Sequence, residues 1–184
     1  MFIQIEETPN PNTLKFLPGI EIMPPGQTAS FRSEEDCKSS KLAKKIIEID
    51  GVESVFFGSE FISITKADSI NWQSLKAIIV ATIVDHTVAG IPIIEGYEKK
   101  PIEHLSLDQE DIVRQIIEVI DEKVRPAVAQ DGGDIVFHSY KDGVVYVEMQ
   151  GACSGCPSAT LTLKDGIENM LQYYIPEVIR VEQI

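Results

Sequence analysis

The chain is poor in cysteine, and this shortage limits the chemistry that it can carry. It has only three cysteines in 184 residues, which fits a reducing compartment better than a disulfide framework. Cys153 and Cys156 form a Cys-x-x-Cys pair, and Cys37 lies far upstream in a polar, acidic stretch. A tetrahedral zinc or a 4Fe-4S cluster needs four protein ligands. The pair therefore supplies half of a metal site, and a second copy of the chain is the simplest source of the other half.

Long apolar runs and basic residues are also scarce. No segment approaches the roughly 20 apolar residues that are needed to span a bilayer. Sixteen basic residues stand against 29 acidic ones, which gives a net charge of −13. A phosphate backbone would repel so acidic a protein. We therefore expect neither a membrane-spanning segment nor nucleic-acid binding.

Targeting and catalytic motifs are missing from the chain as well. Residues 1–7 have neither the basic region of a signal peptide nor the arginine-rich character of a mitochondrial transit peptide. We expect a cytoplasmic protein, or the mature part of one imported into the mitochondrial matrix. The sequence contains no glycine-rich phosphate loop of standard spacing and no Gly-x-Ser-x-Gly elbow.

The residues around the cysteine pair suit a binding loop. Residues 144–150 read as a strand that is rich in β-branched and aromatic side chains. Small residues follow at 151–156, where the backbone can approach a bulky inorganic group. Pro157 then opens a segment with helical spacing of apolar residues. This order predicts that Cys156 lies at a helix N-terminus, where the helix dipole favours a thiolate.

Three interpretations of the pair are open on these residues alone. They are a metal or cluster site shared by two chains, a dithiol redox site, and a structural pair. A Cys-x-x-Cys at the start of a helix is also the thioredoxin-type arrangement. Against the redox interpretation, no aromatic residue precedes Cys153, and Pro157 follows the pair rather than lying within it.

Longer motifs indicate a family. The strings VRPAVAQDGGDI at 124–135, QGACSGCPS at 150–158, LKDGIE at 163–168 and PEV at 176–178 closely resemble the C-terminal domain of NifU-like proteins. The strings TPNPN at 8–12, LKFLPG at 14–19 and DGVESVFFG at 50–58 resemble the N-terminal domain of the Nfu-type members. The resemblance covers most of the chain and leaves only its centre unaccounted for.

The resemblance implies an iron–sulfur cluster scaffold or carrier and not an enzyme. Cys153 and Cys156 match the family's cluster-binding pair, so both are the expected metal ligands. We expect a transient 4Fe-4S cluster held between two subunits, a homodimer when loaded, apo iron–sulfur proteins as acceptors and an upstream assembly machinery as the source. The alternatives are a dithiol–disulfide oxidoreductase that uses the same two thiols and a dimer joined by structural zinc.

The element pattern predicts an α+β protein of two small α/β modules. We expect an N-terminal domain at 1–89, a linker at 90–107 and a C-terminal domain at 108–184. In the first, strands are predicted at 2–6, 13–16, 52–57 and 61–66, and helices at 34–50 and 71–88. The second is predicted in αββαβ order, with a hairpin of 135–140 and 144–149 and with the Cys-x-x-Cys loop at a helix N-terminus.

Other candidate residues receive structural interpretations. Cys37 has acidic neighbours that raise its thiol pKa, so we expect it to be inert. Asp131 and Asp134 are explained by turn chemistry. Ordinary surface or core roles are expected for the histidines, which are His86, His104 and His138. Core packing is expected for the aromatic residues of the first domain, which are Phe56, Phe57 and Trp72.

Overall fold

The computed structural model describes residues 2–96, 110–154 and 157–184. Two compact units make up the chain, Met1–Lys99 and Lys100–Ile184. Each unit contains helices and a β-sheet of its own, so the α+β prediction is confirmed. Most of the predicted linker at 90–107 lies outside the described residues, and its boundaries stay a prediction.

The first unit contains a five-stranded antiparallel sheet. Its strands are β1 (Gln4–Glu7), β2 (Thr13–Leu17), β3 (Ala29–Phe31), β4 (Val52–Phe57) and β5 (Ile62–Lys66). They lie in the order β1-β2-β5-β4-β3. The predicted hairpin of 52–57 and 61–66 is confirmed, whereas β3 was not predicted because a three-residue strand leaves almost no alternation in the sequence.

Two helices accompany this sheet, α1 (Lys41–Ile47) and α2 (Trp72–Val88). The predicted helix at 34–50 was too long. Ser40 has an extended backbone, and its hydroxyl accepts a hydrogen bond from the Ala43 amide at 3.1 Å, so the α-helix begins only after this cap. A short 3₁₀ helix, Asp36–Ser39, precedes it. The helix predicted at 71–88 is confirmed, with Asn71 as its cap.

Aromatic and aliphatic side chains fill the core of the first unit. The rings of Phe31 and Phe57 meet edge to face at 5.0 Å, and Phe56 is also buried. Trp72 is partly buried against this core, and its indole N–H donates to the Pro11 carbonyl at 3.2 Å. The core prediction for Phe56 and Phe57 is confirmed, and Trp72 packs at the margin of the core.

The described part of the second unit begins with a long helical stretch that one π turn interrupts. It consists of α3 (Glu110–Val119), a π turn (Ile120–Val124) and α4 (Arg125–Gln130). One apolar face is buried, comprising Val113, Ile116, Ile120, Val124 and Val128. The helical stretch continues past Pro126, although proline disfavours the interior of a helix. Pro126 falls in the first turn of α4, where a missing N–H does little harm, and the wider π turn precedes it.

A three-stranded sheet and one helix complete this unit. The strands β6 (Gly133–Lys141), β7 (Val144–Gly151) and β8 (Arg180–Gln183) lie in that order, and α5 (Pro157–Tyr174) connects β7 to β8. Strands β6 and β7 are antiparallel, while β7 and β8 are parallel. Asp142 and Gly143 close the hairpin with φ of 51° and 81°, as a type I′ turn requires. The predicted αββαβ order is confirmed.

This topology determines where the cysteine loop lies. The first residue of β6, Gly133, is paired with the last residue of β7, Gly151. The loop leaves β7 at this point and leads into α5. The start of β6 and the end of β7 therefore lie beside the turn at residues 152–154, and α5 begins shortly after it at Pro157. Separately, no helix in the described ranges is long and apolar enough to cross a bilayer.

Candidate metal centre

Cys153 lies in the turn that follows β7. Gly155 and Cys156 lie outside the described residues, so the predicted position of Cys156 at the helix N-terminus stays a prediction. The helix itself begins at Pro157, the residue directly after Cys156. Cys153 is therefore the part of the pair whose surroundings the structure describes.

The Cys153 side chain is buried against a glycine. Only 5% of the residue is exposed. A Cβ atom added to Gly133 would lie 2.6 Å from Cys153 Sγ and 3.1 Å from the Cys153 amide nitrogen. These distances are far below normal contact, so only glycine leaves room for the sulfur here. The glycine at position 133 thus provides the space in which the thiol packs.

Backbone hydrogen bonds hold the loop to the start of β6. The Ala152 amide donates to the Gly132 carbonyl at 3.1 Å, and the Ser154 amide donates to the Gly151 carbonyl at 3.1 Å. Gly132 itself donates to the Ala129 carbonyl at 3.1 Å, at the end of α4. A chain of backbone contacts therefore runs from α4 through Gly132 to the residue before Cys153.

Burial raises the pKa of the Cys153 thiol to about 12, and the negative charges of Asp131 and Asp134 contribute to the rise. At neutral pH the thiol is therefore protonated in this conformation. A metal centre that binds here must displace this proton, since the thiolate is the ligand. The helix-dipole argument for a thiolate concerned Cys156 and does not extend to Cys153.

Asp134 is buried in an ion pair, so the turn explanation was wrong for this residue. Its carboxylate accepts two hydrogen bonds from Arg125, from Nε at 2.8 Å and from Nη2 at 2.7 Å. Arg125 Nη1 also donates to Asp121 at 3.1 Å, and these carboxylates raise the pKa of the guanidinium. Asp131 remains an exposed residue at the end of α4.

Cys37 occupies a different setting in the first unit. It belongs to the hydrophobic core, is 3% exposed, and its Sγ lies 3.2 Å from the Ser33 carbonyl oxygen. Burial raises its pKa to about 11, and the charges of Asp36 and Glu34 add to the shift. The predicted direction is confirmed, but burial is a larger cause than the acidic neighbours on which the prediction rested.

The described histidines add nothing to the cysteine site. His86 is fully buried in the first unit, with Nε2 3.2 Å from the Pro92 carbonyl oxygen. His138 is exposed at a bulge in β6, and His104 lies outside the described residues. Within 2–96, 110–154 and 157–184, no three His, Cys, Asp or Glu side chains gather so that they could hold a metal ion.

Two family models match the chain. The model described as NifU-like domain covers residues 116–182, and the model described as scaffold protein Nfu/NifU N terminal covers residues 3–90. This chain belongs to the Nfu-type NifU-like family. The resemblance seen in its motifs is thereby confirmed over both units.

Curated relatives carry consistent names. The protein called NFU1 iron-sulfur cluster scaffold homolog, mitochondrial, from Drosophila persimilis is 47% identical over 184 residues, which is all of this chain and 65% of that protein. The protein of the same name from Drosophila willistoni is 47% identical over 184 residues, which is 64% of its length. This chain therefore spans somewhat less than two thirds of these relatives. Their names place them in mitochondria, which agrees with the second of the two predicted locations; the cytoplasmic prediction receives no support.

Solved structures are also similar to parts of the chain. The solution structure of a NifU-like protein from Saccharomyces cerevisiae is 30% identical, covers 53% of this chain and 87% of its own, and has a TM-score of 0.46. The crystal structure of protein SAV1430 from Staphylococcus aureus is 27% identical, covers 45% of this chain and 99% of its own, and has a TM-score of 0.41.

Sequence reasoning missed two residues of the site and undervalued a third. Arg125 and Gly133 were noted only as parts of a family motif, and Asp134 as a turn carboxylate. One signal was available for Gly133, because two consecutive glycines at the start of a strand mark a close approach of another group. Nothing in the sequence linked Arg125 to Asp134, which only the packing of α4 beside β6 brings together.

Proposed function

We propose that this protein is an iron–sulfur cluster scaffold or carrier, which holds a 4Fe-4S cluster between two copies of its second unit and transfers it to apo iron–sulfur proteins. The cluster is cargo in this proposal, not a resident cofactor. Membership of the Nfu-type family and the names of the curated relatives support the general role. The shared site and the identity of the cluster are our inference.

The observation that carries the shared site is the number of thiols. A 4Fe-4S cluster takes four protein ligands, and the loop provides Cys153 and Cys156. Cys37 is buried in the core of the other unit, where it packs among apolar side chains. Two chains related by a two-fold axis would supply four equivalent thiols.

The described surroundings of Cys153 bear on the redox alternative. Attack on a disulfide needs a thiolate, and burial raises the pKa of the Cys153 thiol to about 12. In its buried position Cys153 is therefore a poor nucleophile, so an oxidoreductase would have to use Cys156 as the attacking thiol. Uptake of iron at Cys153 likewise requires loss of its proton.

Anaerobic reconstitution with iron and sulfide tests the proposal. We expect a brown protein that contains about four irons per two chains and elutes as a dimer in light-scattering chromatography, while the apo protein elutes mainly as a monomer. Metal binding and association are linked, because the cluster binds only the paired form. Transfer is then followed by the activity that an apo iron–sulfur enzyme gains on mixing with the loaded protein.

Different results separate the alternatives. A monomer that holds four irons per chain would contradict the shared site, and tight zinc binding without uptake of iron and sulfide would indicate a structural zinc dimer. Reversible formation of a Cys153–Cys156 disulfide with a catalytic turnover of thiols would indicate the oxidoreductase.

A further inference from the structure

The proposed function makes no use of the ion pair between Arg125 and Asp134. The Asp134 side chain is only 4% exposed, and that of Arg125 is 19% exposed. Two parallel hydrogen bonds of 2.8 Å and 2.7 Å join the guanidinium to the carboxylate. This two-pronged geometry fixes distance and orientation together, which a lysine in place of Arg125 cannot do.

Stability alone is a poor explanation for this pair. Removing two charges from water is unfavourable, and an apolar pair of similar volume often serves the fold equally well. The pair does, however, hold two defined points of the backbone together. Arg125 is the first residue of α4 and Asp134 is the second residue of β6, so their bond closes the turn at residues 131–133.

The closed turn contacts Cys153 and the residue before it. The Gly132 carbonyl accepts the hydrogen bond from the Ala152 amide at 3.1 Å, and a Cβ added to Gly133 would lie 2.6 Å from Cys153 Sγ. Asp134 itself is paired in register with Gln150 of β7. A shift of the turn would therefore change the position of Cys153 Sγ.

We propose that Arg125 and Asp134 are positioning residues for Cys153. Their ion pair holds the turn at 131–133 in place. The position of this turn determines how deeply Cys153 Sγ is buried and how fast it becomes exposed to a metal centre. The consequence for a metal centre rests on the proposed function. The consequence for the exposure of Cys153 does not, and it can be measured in the apo protein.

The first experiment measures alkylation of Cys153 in the full chain without metal. The substitutions Cys37→Ser and Cys156→Ser leave Cys153 as the single thiol of the chain. In this background, Arg125→Lys keeps the positive charge but loses the two-pronged bond. We expect iodoacetamide to react with Cys153 on the order of tenfold faster in this variant, because the loosened turn opens more often.

Two controls separate geometry from other causes. Arg114→Lys changes an exposed arginine of the same helical stretch, whose contact with Asp111 is 3.6 Å long, and should leave the alkylation rate unchanged. Asp134→Asn removes a charge that raises the pKa of Cys153, but so does Asp131→Asn. If the pair positions the loop, Asp134→Asn accelerates alkylation well beyond Asp131→Asn at every pH.

The second experiment uses the loaded protein with all three cysteines intact. We expect Arg125→Lys to release its cluster to an iron chelator several times faster than the unaltered chain, and to show a changed visible circular dichroism spectrum. A purely structural role would lower the unfolding midpoint and leave both readouts at their original values. If the unaltered chain takes up no cluster at all, the proposed function fails while the alkylation result still decides the positioning role.

Alkylation of Cys153 at the original rate in folded Arg125→Lys and Asp134→Asn variants would overturn the inference. If these single variants do not fold, the double variant Arg125→Met with Asp134→Leu removes the charges together and keeps the volume. It too must expose Cys153 faster if the inference holds. An unfolded double variant would also overturn it, because the pair would then serve the whole unit and not the loop.

Discussion

Cys37 and Cys153 are buried to nearly the same degree, at 3% and 5% exposure, in two separate units. Burial raises the pKa of both thiols, to about 11 and to about 12. Both belong to a buried hydrophobic cluster, Cys37 to that of the first unit and Cys153 to that of the second. They differ in the local chain: Cys37 lies in a 3₁₀ helix, whereas Cys153 lies in the turn after β7 and packs against Gly133.

Burial and pKa therefore do not by themselves separate the candidate ligand Cys153 from the core residue Cys37. Exposing Cys37 would require the helical segment that carries it to leave the core of the first unit. We expect exposure of Cys153 to need a smaller opening, in which the turn at 152–154 moves away from Gly133 and the Ala152–Gly132 hydrogen bond breaks while β6 and β7 stay paired. Because such local openings cost less free energy than opening of a unit, we expect Cys153 rather than Cys37 to exchange a metal.

The largest expected difference between the two cysteines concerns cluster binding. Cys153→Ser and Cys156→Ser should each abolish stable binding, because symmetry removes two of the four thiolates at once. Cys37→Ser should retain full iron content. Iron analysis and visible spectra after anaerobic reconstitution measure this, and full iron in either loop variant would show that the shared site is wrong.

A smaller effect is expected from Gly133→Ala, which tests the close packing of Cys153 Sγ against residue 133. The added Cβ would lie 2.6 Å from Sγ and 2.7 Å from the Gln150 carbonyl oxygen, so we expect destabilisation of about 1–3 kcal/mol and reduced cluster retention. Urea unfolding and chelator release measure the two effects.

Gly166→Ala is the matched control, since a Cβ there meets nothing within 4 Å. Alanine within α5 should stabilise the helix by about 0.5–1 kcal/mol and leave cluster retention unchanged. Equal cluster retention in the Gly133→Ala and Gly166→Ala variants would contradict the claim that Cys153 needs the space left by Gly133.

A smaller effect still is expected from alkaline pH on the first unit. Because the pKa of Cys37 is raised to about 11 in the folded protein, the folded state binds the thiol proton more tightly than the unfolded state. The free energy of unfolding should therefore fall as pH rises from about 8.5, the ordinary thiol value, to about 11. Below that range the Cys37 contribution should be fully present and independent of pH.

The Cys37→Ala substitution isolates this contribution. Urea unfolding is compared at several pH values between a chain that keeps Cys37 and a chain with Cys37→Ala, both of which also contain Cys153→Ser and Cys156→Ser. The chain with Cys37→Ala should lose stability less steeply between about pH 8.5 and about pH 11. Parallel curves would mean that the thiol is not shifted.

No change at all is expected when the two units are separated. A fragment of residues 100–184 contains the whole candidate site and a core of its own, although its size is near the lower limit for independent stability. It should take up the same iron per chain as the full protein, and a fragment of residues 2–96 should take up none. A fragment 100–184 that is folded by circular dichroism but binds no iron would show that the first unit contributes to the site.

Local signals account for the elements that were predicted well. The helical spacing of Leu75, Ile79 and Ile83 accounts for the prediction of α2, and the turn signal Asp142–Gly143 accounts for that of the hairpin in the second unit. Such signals act over a few residues, so the sequence shows them directly. The helix at 34–50 was predicted too long because the apolar spacing on which it rested, from Leu42 to Ile49, begins only after Ser40, which ends the 3₁₀ turn and caps the next helix.

The cysteine site likewise has features that the sequence shows and features that only the fold creates. The spacing of Cys153 and Cys156, the count of three thiols and the family motifs were all readable from the chain, and they sufficed for a two-chain cluster site as a prediction. Three features appeared only in the folded unit: the packing of Cys153 Sγ against Gly133, the raised pKa of Cys153 and the ion pair between Arg125 and Asp134. Burial and charge pairing depend on distances through space, and these are set when α4, β6 and the loop after β7 pack together.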